Sequence, residues 1–159
     1  MPANVDTPRG FQIVGADGNA IKDVCEVADN QTINPGDALI ISSGKLAIAL
    51  SNSGEIHGVA AARIVTTTAT ALDVIPFYPA VPQNRFRAQC SGTFTQAKVG
   101  TEVDIEGTTG IMEVNEDANT EKVFLVQNYT RSLQNSIGAN TEVVGIFSKS
   151  SYCKQGVAI

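Results

Sequence analysis

The sequence predicts a mainly β domain, either a small β-barrel or a β-sandwich, with an extended N-terminal arm and one or two short helices. Glycine, proline and runs of Ser, Thr and Asn recur about every eight to twelve residues, a spacing typical of these all-β folds. The apolar segments between them are short and rich in Val, Ile and Thr, which favour strands. The 159 residues and the 43% hydrophobic content suit one domain with its own core.

The clearest β-hairpin follows the turn Asn-Pro-Gly-Asp at residues 34–37. These residue types preset or permit the backbone angles of a tight turn. Residues 38–41 and 45–50 are the two expected strands, with Gly44 in the loop that joins them. A further β segment is expected over residues 56–65, where alanines weaken the strand pattern.

The segment 72–82 is rich in proline and aromatic residues. Proline has no N–H to donate to a strand ladder, so we expect this segment to be an extended edge or a connector. One interpretation is a connector that covers the core. The other is an interface strip, because aromatic residues are enriched in protein interfaces. The interface residues predicted here, with two from the arm, are Pro76, Phe77, Tyr78, Pro79, Phe86, Val5 and Phe11.

The second half of the chain continues the strand pattern. Residues 85–90 alternate, which places Phe86, Ala88 and Cys90 on one face of a strand. The short helices are expected near residues 96–99, after Thr95 as N-cap, or near 60–63. Later strands are expected over 101–105, 110–114, 122–127 and 142–147, with Glu102, Asp104 and Glu106 outward. The predicted core residues are Leu39, Ile41, Leu46, Ile48, Val59, Phe86, Val103, Ile105, Phe124, Val126, Val144 and Ile146.

The pattern divides the chain into three parts. Residues 1–20 contain little apolar surface and are expected to be a flexible arm, and residues 148–159 a C-terminal tail. The β-rich domain between them covers residues 21–147. Within it, the polar loop 131–141 is long for a connection between two strands, and such loops often carry function.

Charge and hydropathy exclude several classes of function. The net charge is −5, with 11 basic against 16 acidic side chains, so the chain offers no basic field for a nucleic acid. No apolar run approaches the roughly 20 residues that a membrane-spanning helix needs. The N-terminus lacks the basic and apolar regions of a secretory signal, and we expect a soluble protein made in the cytoplasm.

Few residues are available for catalysis or metal binding. Cys25, Cys90 and Cys153 are odd in number and lack zinc-site spacing, which indicates reduced thiols. His57 is the only histidine, so a hydrolase would have to pair it with Cys90, yet Cys90 falls on the apolar face of its strand. We therefore predict no enzyme, no catalytic residue and no cofactor.

The acidic stretch 102–121 carries no Lys or Arg. A calcium site would use Asn115, Asp117 and Asn119 at alternate positions, but the glycine that such loops place at their sharp turn is missing. A solvated strand face is the preferred interpretation, and no metal site is predicted. From Lys122 onward basic residues dominate, and this asymmetry could guide self-association.

The turn and strand pattern between residues 33 and 147 resembles the small β-rich head decoration proteins of tailed bacteriophages. The matching residues are Pro35-Gly36-Asp37, Gly44, Gly58-Val59-Ala60, Val74-Ile75-Pro76, Phe86, Ser91-Gly92-Thr93, Ala97-Lys98-Val99-Gly100-Thr101, Val103-Asp104-Ile105, Lys122-Val123-Phe124-Leu125-Val126 and Val144-Gly145-Ile146-Phe147. The resemblance implies a β-tulip-like domain that binds the outer surface of a phage head. It further implies a non-enzymatic structural protein of the virion, a homotrimer that bridges neighbouring copies of the major capsid protein and stabilises the mature shell.

A second hypothesis is a soluble ligand- or carbohydrate-binding β-sandwich of a virion tail or surface structure. Such a module needs exposed aromatic platforms. With 6% aromatic residues and no tryptophan, this chain supplies few of them.

Overall fold

The computed structural model describes residues 4–14 and 20–153, which form three antiparallel sheets. This confirms the prediction of a mainly β fold. The described strands do not close into a barrel, and the sheets pack as a sandwich. The strands are β1 (Gln12–Val14), β2 (Asp23–Glu26), β3 (Thr32–Ile33), β4 (Ala38–Ser42), β5 (Lys45–Ile48), β6 (Gly58–Ala60), β7 (Ile64–Val65), β8 (Val74–Pro79), β9 (Arg85–Gln89), β10 (Glu102–Glu106), β11 (Glu113–Asn115), β12 (Phe124–Tyr129) and β13 (Glu142–Phe147).

The larger sheet has six strands in the order β1-β9-β13-β12-β10-β11, and the next has five in the order β2-β8-β6-β4-β5. A small two-stranded sheet joins β3 to β7. The predicted hairpin is β4–β5, in which Ser42 pairs with Lys45. The two loop residues, Ser43 and Gly44, both have positive φ, as a type I′ turn requires.

The main core lies between the six-stranded sheet and the face of the five-stranded sheet that carries Ala38 and Val59. Aromatic rings fill its centre: Phe124 and Phe147 pack edge to face with ring centroids 5.3 Å apart. Phe11 contacts both of these rings, at 5.5 Å and 5.0 Å. The segment before β1 is therefore anchored in the core.

A second, smaller core lies on the opposite face of the five-stranded sheet. It is mostly aliphatic and includes Leu39, Leu46 and Phe77, with Ile33 of the two-stranded sheet packed against them. The five-stranded sheet curls around this core, since Val27, just after β2, forms a bridge with Leu46 of β5.

Eight of the twelve predicted core residues are buried. Two of the other four lie in β13, where the predicted face is the wrong one. Val144 and Ile146 face outward, while Val143, Gly145 and Phe147 face the core. Both faces of this strand are apolar, so the sequence did not distinguish them, and a shift of one residue exchanges the faces. Gly145 marks the correct register, because a Cβ there would lie 2.0 Å from the Leu125 carbonyl oxygen. Ile41 and Ile48 are half-buried beside the cores.

The prediction that the proline segment lies at an edge is wrong, because β8 lies between β2 and β6. Pro76 lies opposite Ala61, one residue beyond the end of β6, and only its carbonyl oxygen accepts a bond there. Pro79 lies beyond the register of β2, which ends at the pair of Asp23 with Phe77. Each proline therefore occupies a position where one neighbouring strand has already ended.

Asp104 was expected to face solvent, but it is buried. Its carboxylate accepts hydrogen bonds from the backbone N–H groups of Glu121 and Lys122, both at 2.8 Å, and of Thr120 at 3.1 Å. Such a set of donors replaces the water that the carboxylate loses on burial. This part of the acidic stretch thus organises the loop before β12.

Both expected terminal segments contribute to the domain. Residues 4–14 include Phe11 and strand β1, which pairs with β9, so this part of the expected arm belongs to the six-stranded sheet. At the other end, Ile56 bridges Ser150. The remainder of the predicted arm and tail, residues 1–3, 15–19 and 154–159, lies outside the described residues.

Helix is nearly absent from the described part of the chain. The segment expected to be helical at residues 96–99 is a single 3-10 turn at Gln96–Lys98, and residues 61–62 form a bend. None of the described helical segments is long and apolar enough to cross a membrane.

Candidate functional site

A polar groove of about 350 Å³ lies between the N-terminal segment and the loop 131–141. Strand β9 forms its floor, and the loop joins β12 to β13. The groove therefore uses the long loop that the sequence marked as functional. Its lining residues are Asn4, Val5, Thr7, Arg9, Gly10, Gln12, Arg87, Ala88, Gln89, Ser132, Gln134, Asn135, Asn140 and Glu142.

Asn4 joins the two walls of the groove. Its Nδ2 donates to the carbonyl oxygens of Ser136 at 2.7 Å and Ala139 at 2.8 Å, and its Oδ1 accepts from the Ser136 N–H at 2.8 Å. Gln89 on the floor adds a second link, because its Nε2 donates to the Val5 carbonyl at 2.7 Å. These bonds hold the N-terminal segment against the loop.

The loop is held internally by Asn135 and Thr141. Asn135 Nδ2 donates to the carbonyl oxygens of Thr130 and Glu142, and its Oδ1 accepts from the Glu142 N–H at 2.7 Å. Thr141 is fully buried, and its hydroxyl lies 2.8 Å from the Ser136 carbonyl oxygen. The loop is therefore closed by hydrogen bonds from its own polar side chains to its backbone.

Other groove side chains remain free to bind. Arg87 Nε donates to Gln12 Oε1 at 3.1 Å, which orients the guanidinium, and its terminal nitrogens have no hydrogen-bond partner in the described part of the chain. Arg9 and Glu142 form no ion pair with a described residue. The one salt bridge among residues 4–14 and 20–153 joins Lys98 to Asp117. Two guanidiniums thus share the groove with a single carboxylate.

Exposed apolar side chains lie on the loop and on the N-terminal segment. Leu133 is 89% exposed, Val5 72% and Ile137 43%. Ile137 lines a shallow hollow next to the groove, where Arg131 stacks 4.9 Å over the Tyr129 ring. We call Val5, Leu133 and Ile137 the groove rim. Arginine and tyrosine beside exposed apolar groups are typical of protein interfaces.

A second exposed apolar surface lies on the five-stranded sheet. Val24 of β2 pairs with Pro76 of β8, and Val74 and Tyr78 lie on the same face of β8. Val24 is 58% and Val74 43% exposed, and Lys22 Nζ lies 5.1 Å above the Tyr78 ring. We call Val24, Val74, Pro76 and Tyr78 the β2–β8 patch.

The structure separates the seven predicted interface residues. Four of them, Phe11, Phe77, Pro79 and Phe86, are buried in the two cores or between the sheets and offer no free surface. In β8 and β9 the buried side chains alternate with more exposed ones, as the period of a strand requires. Pro76 and Tyr78 belong to the β2–β8 patch, and Val5 belongs to the groove rim. For these three the interface role stays a prediction.

Cys90 and His57 lie in different surroundings. His57 Nδ1 is 3.0 Å from Ser151 Oγ, and its ring contacts Phe77 and Tyr152. Burial raises the pKa of the Cys90 thiol well above its usual value, and the nearby Glu116 carboxylate raises it further. A thiol in this state is a poor nucleophile, and its packing resembles that of a small apolar residue.

Two carboxylates of the acidic stretch have protein partners, whereas the buried Glu116 Oε1 has no hydrogen-bond partner among the described residues. Glu106 Oε2 accepts from Asn115 Nδ2 at 2.7 Å, and Asp117 Oδ1 lies 3.2 Å from Lys98 Nζ. Across the described ranges, no group of three or more His, Cys, Asp or Glu side chains is placed to share a metal ion.

Comparison with protein-family models gives no match for this chain, and comparison with curated protein sequences gives no significant match. The groove and the exposed surfaces are therefore the features of the molecule that point to a function. The sequence identified the loop, but it gave no sign that Asn4 would hold it, because the two lie more than 130 positions apart.

Proposed function

We propose that this protein is a capsid decoration protein that acts by binding alone. In this proposal it sits on the outer surface of a phage head, contacts neighbouring copies of the major capsid protein and stabilises the mature shell. It binds there as a homotrimer. The observation that carries the proposal is the presence of two separate exposed apolar surfaces, the groove rim on the N-terminal segment and the loop 131–141, and the β2–β8 patch on the five-stranded sheet.

A bridging protein needs at least two separate contact surfaces. Single exposed apolar residues are normal on a soluble protein, whereas neighbouring ones indicate an interaction site. Leu133 and Val5 in the rim are more than two-thirds exposed, and Val24 in the patch is more than half exposed. One surface can hold one capsid subunit while the other holds the neighbouring capsid subunit.

The stabilisation follows from mass action. A ligand that binds only the assembled shell adds its binding free energy to that of the shell. Separating two capsid subunits must then break the contacts of every copy that spans them. Because the chain has a net charge of −5 and the proposed surfaces are mainly apolar, binding should persist at high salt.

The proposal is tested by mixing the purified protein with stripped capsids and with free capsid subunits from the same genome, at low and at high salt. We expect binding to the capsid at both salt concentrations and much weaker binding to the free subunit. Equal binding to the free subunit, or full release by salt, would contradict a site formed by several subunits through apolar contacts.

The groove supports a second candidate function, a soluble ligand- or carbohydrate-binding module of a tail or surface structure. Its volume lies within the common range for small-ligand sites, about 300 to 1,000 Å³. Titration with neutral oligosaccharides, followed by NMR, tests this candidate. Saturable shifts of groove amides, combined with no capsid binding, would favour it over decoration.

A further inference from the structure

The free side chains of the groove define the chemistry of a ligand. The Arg9 side chain has no hydrogen-bond or ion-pair partner among residues 4–14 and 20–153. Arg87 is held through Nε by Gln12, and its two terminal nitrogens make no hydrogen bond to residues 4–14 and 20–153. A guanidinium that is already oriented binds a carboxylate with two parallel hydrogen bonds and loses little side-chain freedom in doing so.

The remaining polar groups add a second requirement. The Glu142 side chain lines the same groove without a partner in the described ranges, and it can only accept hydrogen bonds. The ligand must therefore carry a hydrogen-bond donor close to its carboxylate. The amides of Gln134 and Asn140 also line the groove, and neither makes a side-chain hydrogen bond to the described chain. They can pair with both donors and acceptors.

The apolar rim selects between the two classes of ligand that fit these groups. A peptide offers a carboxylate, backbone N–H donors and apolar side chains within a few residues. An acidic sugar offers a carboxylate and hydroxyl donors but nothing to cover Leu133, which is 89% exposed, or Val5, which is 72% exposed. The combination of arginines, amides and an apolar rim therefore favours a peptide.

We propose that the groove binds an extended polypeptide segment in which an acidic residue is flanked by apolar residues. Arg9 and Arg87 bind its carboxylate, Glu142 accepts from its backbone N–H, and Val5, Leu133 and Ile137 contact its apolar side chains. This inference rests on the proposed function only for the origin of the segment, which would be an exposed loop or terminus of a capsid subunit.

The test is an NMR titration of the full-length protein with the capped pentapeptide Gly-Leu-Glu-Val-Gly. We expect saturable shifts of the backbone amides of Gly10, Gln12, Gln134 and Asn140, with a dissociation constant at or below about 1 mM. The same peptide with Gln in place of Glu should bind at least about tenfold more weakly, because it lacks the charge.

Substitutions of the two groove arginines test whether they bind the carboxylate of the peptide. R9Q and R87Q should each weaken binding of the acidic peptide by about tenfold or more, while R63Q, which changes an exposed arginine outside the groove, should leave it unchanged. Unperturbed spectra of the free variants show that each remains folded. Equal loss with R63Q, or equal binding of the Gln peptide, would overturn the proposal.

Two further measurements, titration with an acidic sugar and binding to stripped capsids, distinguish the peptide site from the alternatives. Shifts with a short glucuronic acid oligosaccharide but none with the peptide would overturn the peptide assignment in favour of an acidic sugar. If the peptide binds and stripped capsids do not, the groove inference stands and the decoration proposal fails. If capsids bind and neither R9Q nor R87Q affects peptide binding, the groove inference fails alone.

Discussion

The groove and the β2–β8 patch are both exposed, but they are built in different ways. The groove depends on side-chain hydrogen bonds between segments far apart in sequence, such as Asn4 with the 136–139 backbone. The patch is one face of two paired strands, where the register of Val24 with Pro76 places the apolar side chains. A shape held by a few polar side chains can be lost through one substitution, whereas a ladder of backbone bonds is less sensitive to single side chains.

This difference suggests a division of roles. The groove combines fixed charges with a defined shape, which gives selectivity for one partner segment. The patch offers apolar area with few polar constraints, which contributes affinity and tolerates variation in its partner. The segments that build the groove should therefore be more sensitive to single substitutions than the paired strands of the patch.

The largest effect is expected from Phe11, which anchors the N-terminal wall of the groove in the main core. It is 1% exposed and packs against Phe124 and Phe147. Phe11→Ala should lower the free energy of unfolding by about 3 to 5 kcal/mol, as measured by chemical denaturation. V5A on the same segment is the control and should change it little. A loss below about 1 kcal/mol for Phe11→Ala would mean that the segment is not docked.

A smaller effect is expected from Asn135, which closes the loop 131–141. Asn135→Ala leaves the Glu142 N–H and the Thr130 carbonyl without their partner and should cost about 1 to 3 kcal/mol. Hydrogen exchange at Glu142 should accelerate, while exchange at Cys25 in β2 stays constant. The neighbouring Q134A variant serves as the control, since this exposed side chain makes no hydrogen bond in the described chain. Equal effects of the two variants would contradict the account of the loop.

The smallest effect is expected from His57, whose protonation should make the stability of the fold depend on pH. Burial lowers the pKa of His57 below its usual value, with a smaller opposing effect from Asp23. Between about pH 7.5 and about pH 5.5 the unfolded chain therefore takes up a proton more readily than the folded one. The free energy of unfolding should decrease as the pH is lowered through this range. The loss over this range should be smaller in His57→Gln than in the wild type. Identical slopes of melting temperature against pH in the wild type and His57→Gln would refute this role of His57.

The sequence predicted the fold class and several strands well because alternation and turn residues act locally. The hairpin β4–β5 and the buried face of β9 follow from patterns of a few residues. Strand β13 was assigned to the wrong face because both of its faces are apolar, and only the close approach of Leu125 to Gly145 decides between them. That contact joins two strands and is not visible in one segment.

The candidate site was harder to predict for the same reason. The length of the loop 131–141 was visible in the sequence, but the contacts of Asn4 depend on how the sheet brings the termini together. The prolines of β8 also led to a wrong prediction. A proline in a strand costs a ladder hydrogen bond only where the neighbouring strand continues past it. In this fold β6 ends before Pro76, so no ladder bond is lost there.

The central claim is that the groove rim and the β2–β8 patch act as two separate contact surfaces on the capsid. It is tested most directly by measuring capsid binding of L133S, V24S and the double variant, with L50S and V65S as matched exposed controls outside both surfaces. We expect each single variant to weaken binding, the double variant to abolish it, and both controls to bind as the wild type does. Wild-type binding by the double variant, or equal weakening by the controls, would contradict the claim.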